Sequence, residues 1–478
     1  MEIYIKYYKK KATFALVLIV FLSFQTGCKK FIEVDAPITS VNGGNVFTDD
    51  ANAIGAVTGI YTKMASASFS LNLSLYPELS SDNLKVLNLA NDVNTAKYFQ
   101  NALTENYNAN NDIQFWGPLY NYIYLTNAAI QGLTQASSLT PAVKQRLTGE
   151  VYFLRAFFYF YLVNLYGDVP LALSTDYEIN NGLTRSSSDA VYLQIISDLL
   201  KAEQLLDDRY VDETLVGVTS ERVRPNVMAV KALLARVYLY TKNYSAAENA
   251  ASEVIKKTEL YSAEIPLDQI YLKNSKETIW ALQPVKSNFN TDEGAYFIPD
   301  ANENVIQVAL SDNLLSEFEA SDKRKSNWVS TTKIGAIDYF YPSKYKVRAD
   351  IPKTEYQILL RLAELYLIRS EARNEQNNTS GAREDLNLIR RRSGLGDTPA
   401  SEVSEIRLAI FKERRLELFT EGGHRWLDLK RSGKVNEIMG NYSTIKGSTW
   451  QLYKALYPIP FSDIQINRNL KQNPFYSN

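Results

Sequence analysis

Residues 233–255 read LLARVYLYTKNYSAAENAASEVI. Within this stretch Leu234-Ala235, Tyr238, Tyr244, Ala247 and Ala251 fall at the spacings of a tetratricopeptide unit, a pair of antiparallel helices. Small side chains at Ala235, Ala247 and Ala251 allow the two helices to approach closely, and Tyr238 fills the space between them. A weaker echo follows at residues 358–373, ILLRLAELYLIRSEAR, with Leu362-Ala363 and Tyr366 in the first-helix positions. A unit of this kind cannot bury its apolar face alone, so the pattern predicts a stacked helical array.

Other helix signals surround it. Thr140-Pro141 supplies a cap and a first-turn proline for a helix running to Gly167, with Val143, Leu147, Val151 and Leu154 on its apolar face. Ser186-x-x-Asp189 has capping-box form ahead of VYLQIISDLLKAEQLL. Pro225 opens a further helix, RPNVMAVKALLARVYLY. The reading is mainly helical from about 51 to 260 and again from 354 to 432. Between 261 and 350 the period fades: KETIWALQPV alternates like a strand, SNFNTDEGAYFIPDANEN is loop-like, and KSNWVSTTKIGAIDYFYPSKY interleaves polar residues with aromatics. A long irregular insert in a regular helical frame usually lies at the surface, where function is often placed. Residues 433–478 read as an extended, proline-punctuated tail.

The N-terminus has its own logic. Lys6, Lys9, Lys10 and Lys11 form a basic head, and Ala12 to Phe24 (ATFALVLIVFLSF) an apolar run. That run is shorter than the roughly 20 residues needed to span a bilayer but fits a secretory signal. Small residues lead into Gly27-Cys28, the order read by the machinery that acylates a cysteine and cuts before it. Residues 1–27 are therefore expected to be a lipoprotein signal, Cys28 the lipidated first residue, and 28–50 a tether ahead of a domain at 51–478.

Composition removes several function classes. The chain has 478 residues, with 52 Lys+Arg against 53 Asp+Glu, and shows no basic footprint for nucleic acid. With one cysteine it has no internal disulfide and no thiolate metal cluster, and with one histidine no HExxH or two-histidine metal site. A Ser-His-Asp triad would have to use His424. Paired carboxylates, which glycosidases use, remain possible; the densest charged stretch holds Glu413, Arg414, Arg415, Glu417, Glu421, Arg425 and Asp428. Interleaved arginines would keep those carboxylates ionised, which points to structural ion pairs rather than acid catalysis. The motif at 391–397, RRSGLGD, follows a helix rather than a strand and reads as a glycine-capped helix end, not a phosphate loop.

Several segments, in order, carry a family likeness: CKKFIEVDAP, GEVYFLRAFFYFYLVNLYGDVPL, the tetratricopeptide segment around Ala235, ILLRLAELYLIRSEA, LNLIRRRSGL, ERRLELFTEGGHRWLDLKRSG and LYPIPFSDIQINRNLKQNPFY. Together they resemble the SusD/RagB family of outer-membrane nutrient-binding lipoproteins of Bacteroidota. The tail departs from the family's usual glycine before the final tyrosine, with Phe475 in its place. The resemblance implies a tetratricopeptide-like scaffold with an irregular half packed on it. It also implies a lipid-anchored location on the outer surface and a SusC-like TonB-dependent transporter as partner. Oligosaccharide capture without chemistry or cofactor is implied too, with peptide capture, as in the RagB branch, the alternative. A surface glycosidase and a pure protein-interaction scaffold are readings from other classes.

A non-catalytic sugar site must be sought among the 32 Tyr, 20 Phe and 5 Trp. A pyranose ring offers a face of C–H groups and a rim of hydroxyls, which an aromatic face and neighbouring polar groups can match. Aromatics in irregular segments are better candidates than those on helix faces. Trp116, Tyr159, Tyr161, Tyr166 and Trp426 are therefore assigned to the core and Trp280 to a strand. The candidates are Trp328, Tyr296, Phe289, Tyr339 and Tyr341 in the insert, with Tyr76 and Tyr98 earlier in the chain. Asp82 and Asn83, in a segment resembling one near the family's pocket, are the candidate hydroxyl partners. Trp328 heads the set.

Overall fold

The computed structural model describes residues 46–90, 92–105, 115–300 and 305–476. The leader, Cys28 and most of the tether lie outside the described residues. The chain opens with α1 (Asp50–Ser66), capped by the Asp49 carboxylate on the Asn52 N–H at 2.9 Å, and α2 (Phe69–Ser80). A short strand β1 (Leu84–Val86) leads to α3 (Val93–Phe99). There follow α4 (Trp116–Gln135), α5 (Pro141–Tyr166), the five-residue α6 (Tyr177–Asn181), α7 (Ser188–Leu205), α8 (Val227–Tyr240) and α9 (Tyr244–Ile255).

These helices pack in succession: α4 on α5, α5 on α7, α7 on α8 and α8 on α9. Helix α5 is buried from Phe153 to Val163 on every side, as expected for a helix apolar all round its circumference. Ala235, Ala247 and Ala251 are fully buried where α8 meets α9, so the tetratricopeptide spacing does bring two backbones together. Two of the expected caps sit one residue further along. Ser187, not Ser186, accepts from the Ala190 N–H, and Asn226, not Pro225, caps α8 through the Ala229 N–H at 3.0 Å. Thr140 stands at the cap of α5, but its side chain makes no capping bond.

The insert is more regular than its sequence suggests. It holds β2 (Thr278–Leu282), α10 (Asp292–Phe297), β3 (Val308–Leu310), α11 (Asp312–Glu317), α12 (Lys323–Trp328), β4 (Val329–Ile334) and β5 (Ile337–Pro342). Three two-stranded antiparallel sheets result: β1 with β3, β4 with β5, and β2 with the later β6 (Gln357–Arg361). The stretch in which polar residues interleave with aromatics holds a hairpin, Ile334 pairing with Ile337 across Gly335-Ala336, where Gly335 has φ +62°. Strand β2 is buried on both faces rather than half-exposed, because α8 covers it.

The array resumes with α13 (Leu362–Glu375), which packs on α9, then α14 (Thr379–Arg392), α15 (Val403–Leu418) and α16 (His424–Arg431). The weaker tetratricopeptide echo is thus part strand: ILLR belongs to β6, and the helix starts at Leu362. Gly394, at φ +81°, ends α14 as the capping reading requires, with the Leu395 N–H returning to the Arg390 carbonyl at 2.9 Å. The tail is less extended than expected, containing α17 (Val435–Tyr442) and α18 (Phe461–Ile466). Phe475 holds φ +67°, a left-handed conformation that glycine adopts without strain.

Candidate functional site

The predicted set divides by burial. Trp328, at the end of α12, is fully buried. Its indole N–H donates to the Leu267 carbonyl at 3.0 Å, Tyr271 meets it edge-on at 5.8 Å, and the Lys344 ammonium lies 4.8 Å from its ring centre. No face of that ring is open to a ligand, so the leading candidate is a core residue. Phe419, at the end of α15, adds a further ring contact at 6.4 Å.

Asp82 and Asn83 are likewise internal. Arg425 grips the Asp82 carboxylate with Nε and Nη2 at 2.7 and 2.9 Å, and Arg415 adds a contact at 3.0 Å. Burial alone would raise Asp82, but the two guanidiniums outweigh it and hold the carboxyl at about 2. Asn83 donates to Glu78 at 2.6 Å and accepts from Arg415 at 2.8 Å. Both residues tie the end of α2 to α15 and α16, and their polar atoms are not free for sugar hydroxyls.

Tyr76, Tyr98 and Tyr296 come together. The Tyr76 and Tyr98 rings lie 4.5 Å apart, and Tyr296 of α10 approaches Tyr76 and the cap of α3. Tyr98 is sealed and Tyr76 nearly so, while Tyr296 is half-buried. Phe289 is half-buried as well. Tyr339 and Tyr341 stand two residues apart on β5, opposite Thr332 and Ser330, and so share one face of the strand. Phe340 between them lies on the other face of the strand and packs onto the core, while the tyrosine pair shares its face with buried Thr332, and all three rings are half-buried. Four candidates therefore keep some accessible ring: Phe289, Tyr296, Tyr339 and Tyr341. Cavities of about 890, 390 and 240 Å³ lie elsewhere, and none is lined by a member of the predicted set.

The carboxylates fall into two electrostatic kinds. Arg361 bonds Glu277 at 2.9 Å, Glu417 at 2.7 Å and Glu421 at 2.6 Å, and Arg324 reaches Glu413 at 2.6 Å and Glu417 at 3.1 Å. Burial opposes ionisation there, yet Arg361 and Lys344 keep Glu421 at about 2. Glu78 and Glu293 are the opposite case: burial pushes each up to about 7. Both are sealed from solvent. Glu277, Glu413, Glu417 and Glu421 are thus locked in ion pairs, while Glu78 and Glu293 are enclosed. His424 is buried, and that burial lowers it to about 4; its nearest acid, Glu364, at 3.9 Å, is already bound by Arg236 through two contacts of 2.6 Å.

Comparison with known proteins matches this architecture. The SusD family profile covers residues 302–476, and a second profile, described as starch-binding associating with outer membrane, covers residues 31–239. The chain belongs to the SusD/RagB family. SusD-like protein P25 of Formosa agariphila is 22% identical, the match covering 97% of this chain and 98% of that protein. Starch-binding protein SusD of Bacteroides thetaiotaomicron is 35% identical over 132 residues, 27% of this chain and 23% of that one. A solved structure titled laminarin binding SusD-like protein superposes with a TM-score of 0.75 at 22% identity, over 90% of this chain and 100% of that one.

Proposed function

We propose that this protein captures glycans at the cell surface, held to the outer membrane by acylated Cys28, and passes oligosaccharide to a SusC-like TonB-dependent transporter. It does so without chemistry. The observation that carries the reading is the Tyr339–Tyr341 pair: two half-buried rings on the face of β5 that Phe340 does not use. Flat rings with a polar edge suit a pyranose face, and Tyr296 and Phe289 extend the same supply of partly accessible rings. Family membership, with its starch-binding and outer-membrane description, supports both the ligand class and the location.

Calorimetry with laminari- and malto-oligosaccharides tests it. Tyr341→Ala is expected to weaken binding at least tenfold, about 1.4 kcal/mol. An isotherm identical to that of the parent protein removes the hairpin from the site, and heat released only by peptides moves the ligand class. Cys28→Ala is expected to shift the protein from the membrane to the soluble fraction, since stable anchoring rests on its acyl chains. Complete retention in membranes counts against the anchor.

A further inference from the structure

The 240 Å³ cavity is lined by none of the candidate binding residues named above, though Trp116, assigned to the core, forms part of its wall. Trp116, Tyr120 and Tyr124 recur every fourth residue of α4 and so stack along one face of that helix. The Trp116 and Tyr120 rings lie 4.9 Å apart. Exposure rises along the stripe, from 2% at Trp116 through half-buried Tyr120 to 49% at Tyr124, so the rings descend from the surface into the cavity. The protein itself satisfies the two inner rings: the Trp116 indole N–H donates to Asp463 at 3.2 Å, and the Tyr120 hydroxyl donates to the Pro170 carbonyl at 2.9 Å. Trp116 also meets Tyr166 edge-on at 5.0 Å, so it forms the floor of the cavity, and the more accessible ring is that of Tyr124.

The opposite wall comes from α6 and α18 and mixes the polar Asn180, Asn181 and Asp463 with the apolar Ile466. Asn180 donates to the Ser174 carbonyl at 2.8 Å, while its side-chain oxygen is buried with no donor. A ligand hydroxyl reaching that oxygen would satisfy an acceptor that is otherwise costly to bury. Asn181 beside it carries no described hydrogen bond and is half-buried. No lysine or arginine lines the cavity, and its one carboxyl, Asp463, is shifted upward by burial. Such a lining favours a neutral, hydroxyl-bearing ring over an anion.

We infer that this cavity is a second carbohydrate site, taking a single pyranose unit of a neutral glycan against the Trp116–Tyr120–Tyr124 stripe. The inference rests on the glycan-capture reading but uses different residues, so the two can be separated. The probes are methyl β-glucoside and glucuronate, followed by saturation-transfer NMR titration of the full mature chain. Methyl β-glucoside is expected to bind the parent protein, and at least tenfold more weakly to Tyr124→Ala, whose side chain is exposed enough to be removed without disturbing the core. Asn181→Ala is expected to weaken it as well, and glucuronate to bind at least tenfold more weakly than the glucoside.

Equal affinity in the parent, Tyr124→Ala and Asn181→Ala overturns the site. Equal binding of the two sugars overturns the neutral ligand class. If oligosaccharides bind the parent but the monosaccharide does not, this cavity is excluded and the hairpin reading survives. If neither binds, both fail.

Discussion

The α8–α9 pair and the insert that ends in the β4–β5 hairpin are both anchored deep in the molecule, by different atoms. Ala235, Ala247 and Ala251 join the two helices through apolar contact, and Arg236 of α8 adds a single buried ion pair to Glu364 of α13. The insert is pinned by charge. Arg324 of α12 bonds Asp322, Glu413 and Glu417, and Lys344, just after β5, pairs with Glu421 and donates to the Glu417 carbonyl at 2.8 Å. Arg361 of β6 and Arg392 of α14 close the network on Glu277 and Glu417. Apolar packing tolerates exchange of one hydrocarbon for another, whereas a buried ion network needs every partner.

The largest effect that would break this contrast is Arg361→Ala. The guanidinium is fully enclosed and touches Glu277, Glu417 and Glu421 together. Its loss leaves three buried carboxylates facing one another with Arg392, Arg324 and Lys344 to share. Removing one member of such a network costs about 3–5 kcal/mol. Urea unfolding of the variant should show that loss; a change below 1 kcal/mol (well under that range) would mean the insert is held by packing after all.

Next in size is a pH effect of opposite sign at two buried glutamates. Glu421, held at about 2, contributes stability that is present above its unfolded value of ~4.3 and is lost as pH falls through about 2. Glu293, raised to about 7 chiefly by burial, binds a proton in the folded state that the unfolded chain gives up near ~4.3. Its contribution is therefore present below that value and declines as pH rises to about 7. Glu293→Gln keeps an acceptor for the Ser70 hydroxyl at 2.5 Å and removes the titration. The variant is expected to match the parent at pH 4 and to exceed it at pH 8 by up to about 3 kcal/mol. Unfolding midpoints at the two pH values check it, and a pH-independent difference would contradict the enclosed-acid assignment.

The same contrast explains what could be read in advance. Helical spacing is local information, so Ala235, Ala247 and Ala251 announced their packing directly. The interleaved charges of residues 413–431 announced part of their pairing too, because Arg414 and Arg431 both bond Asp428 within that stretch. Trp328 was misread because the rings that enclose it, Tyr271 and Phe419, lie far from it in the chain. The hairpin beside it was legible in TTKIGAIDYFY, where alternation on both sides of a glycine describes a two-residue hairpin. Asp82 was misread for a related reason. Its partners Arg415 and Arg425 are more than 300 residues away, as Asp82–Arg425 illustrates with a separation of 343. The Trp116–Tyr120–Tyr124 stripe was legible as a helix face, but the wall opposite it comes from α6 and α18, which no sequence period connects.

The smallest expected effect sharpens the comparison most. Tyr339 belongs to the insert yet lies outside both anchoring devices: it faces away from Phe340, and neither the ion network nor the core includes it. Substitutions at exposed positions away from such features stay within about 0.5 kcal/mol. Tyr339→Ala should therefore leave the urea midpoint nearly unchanged, while thinning the ring surface offered by β5. A ring retained at partial exposure with no stability to show for it is best explained by what it meets from solution. If the variant instead unfolds as readily as Arg361→Ala, the hairpin face is structural, and the accessible rings must be sought at α10 and in the α4 cavity.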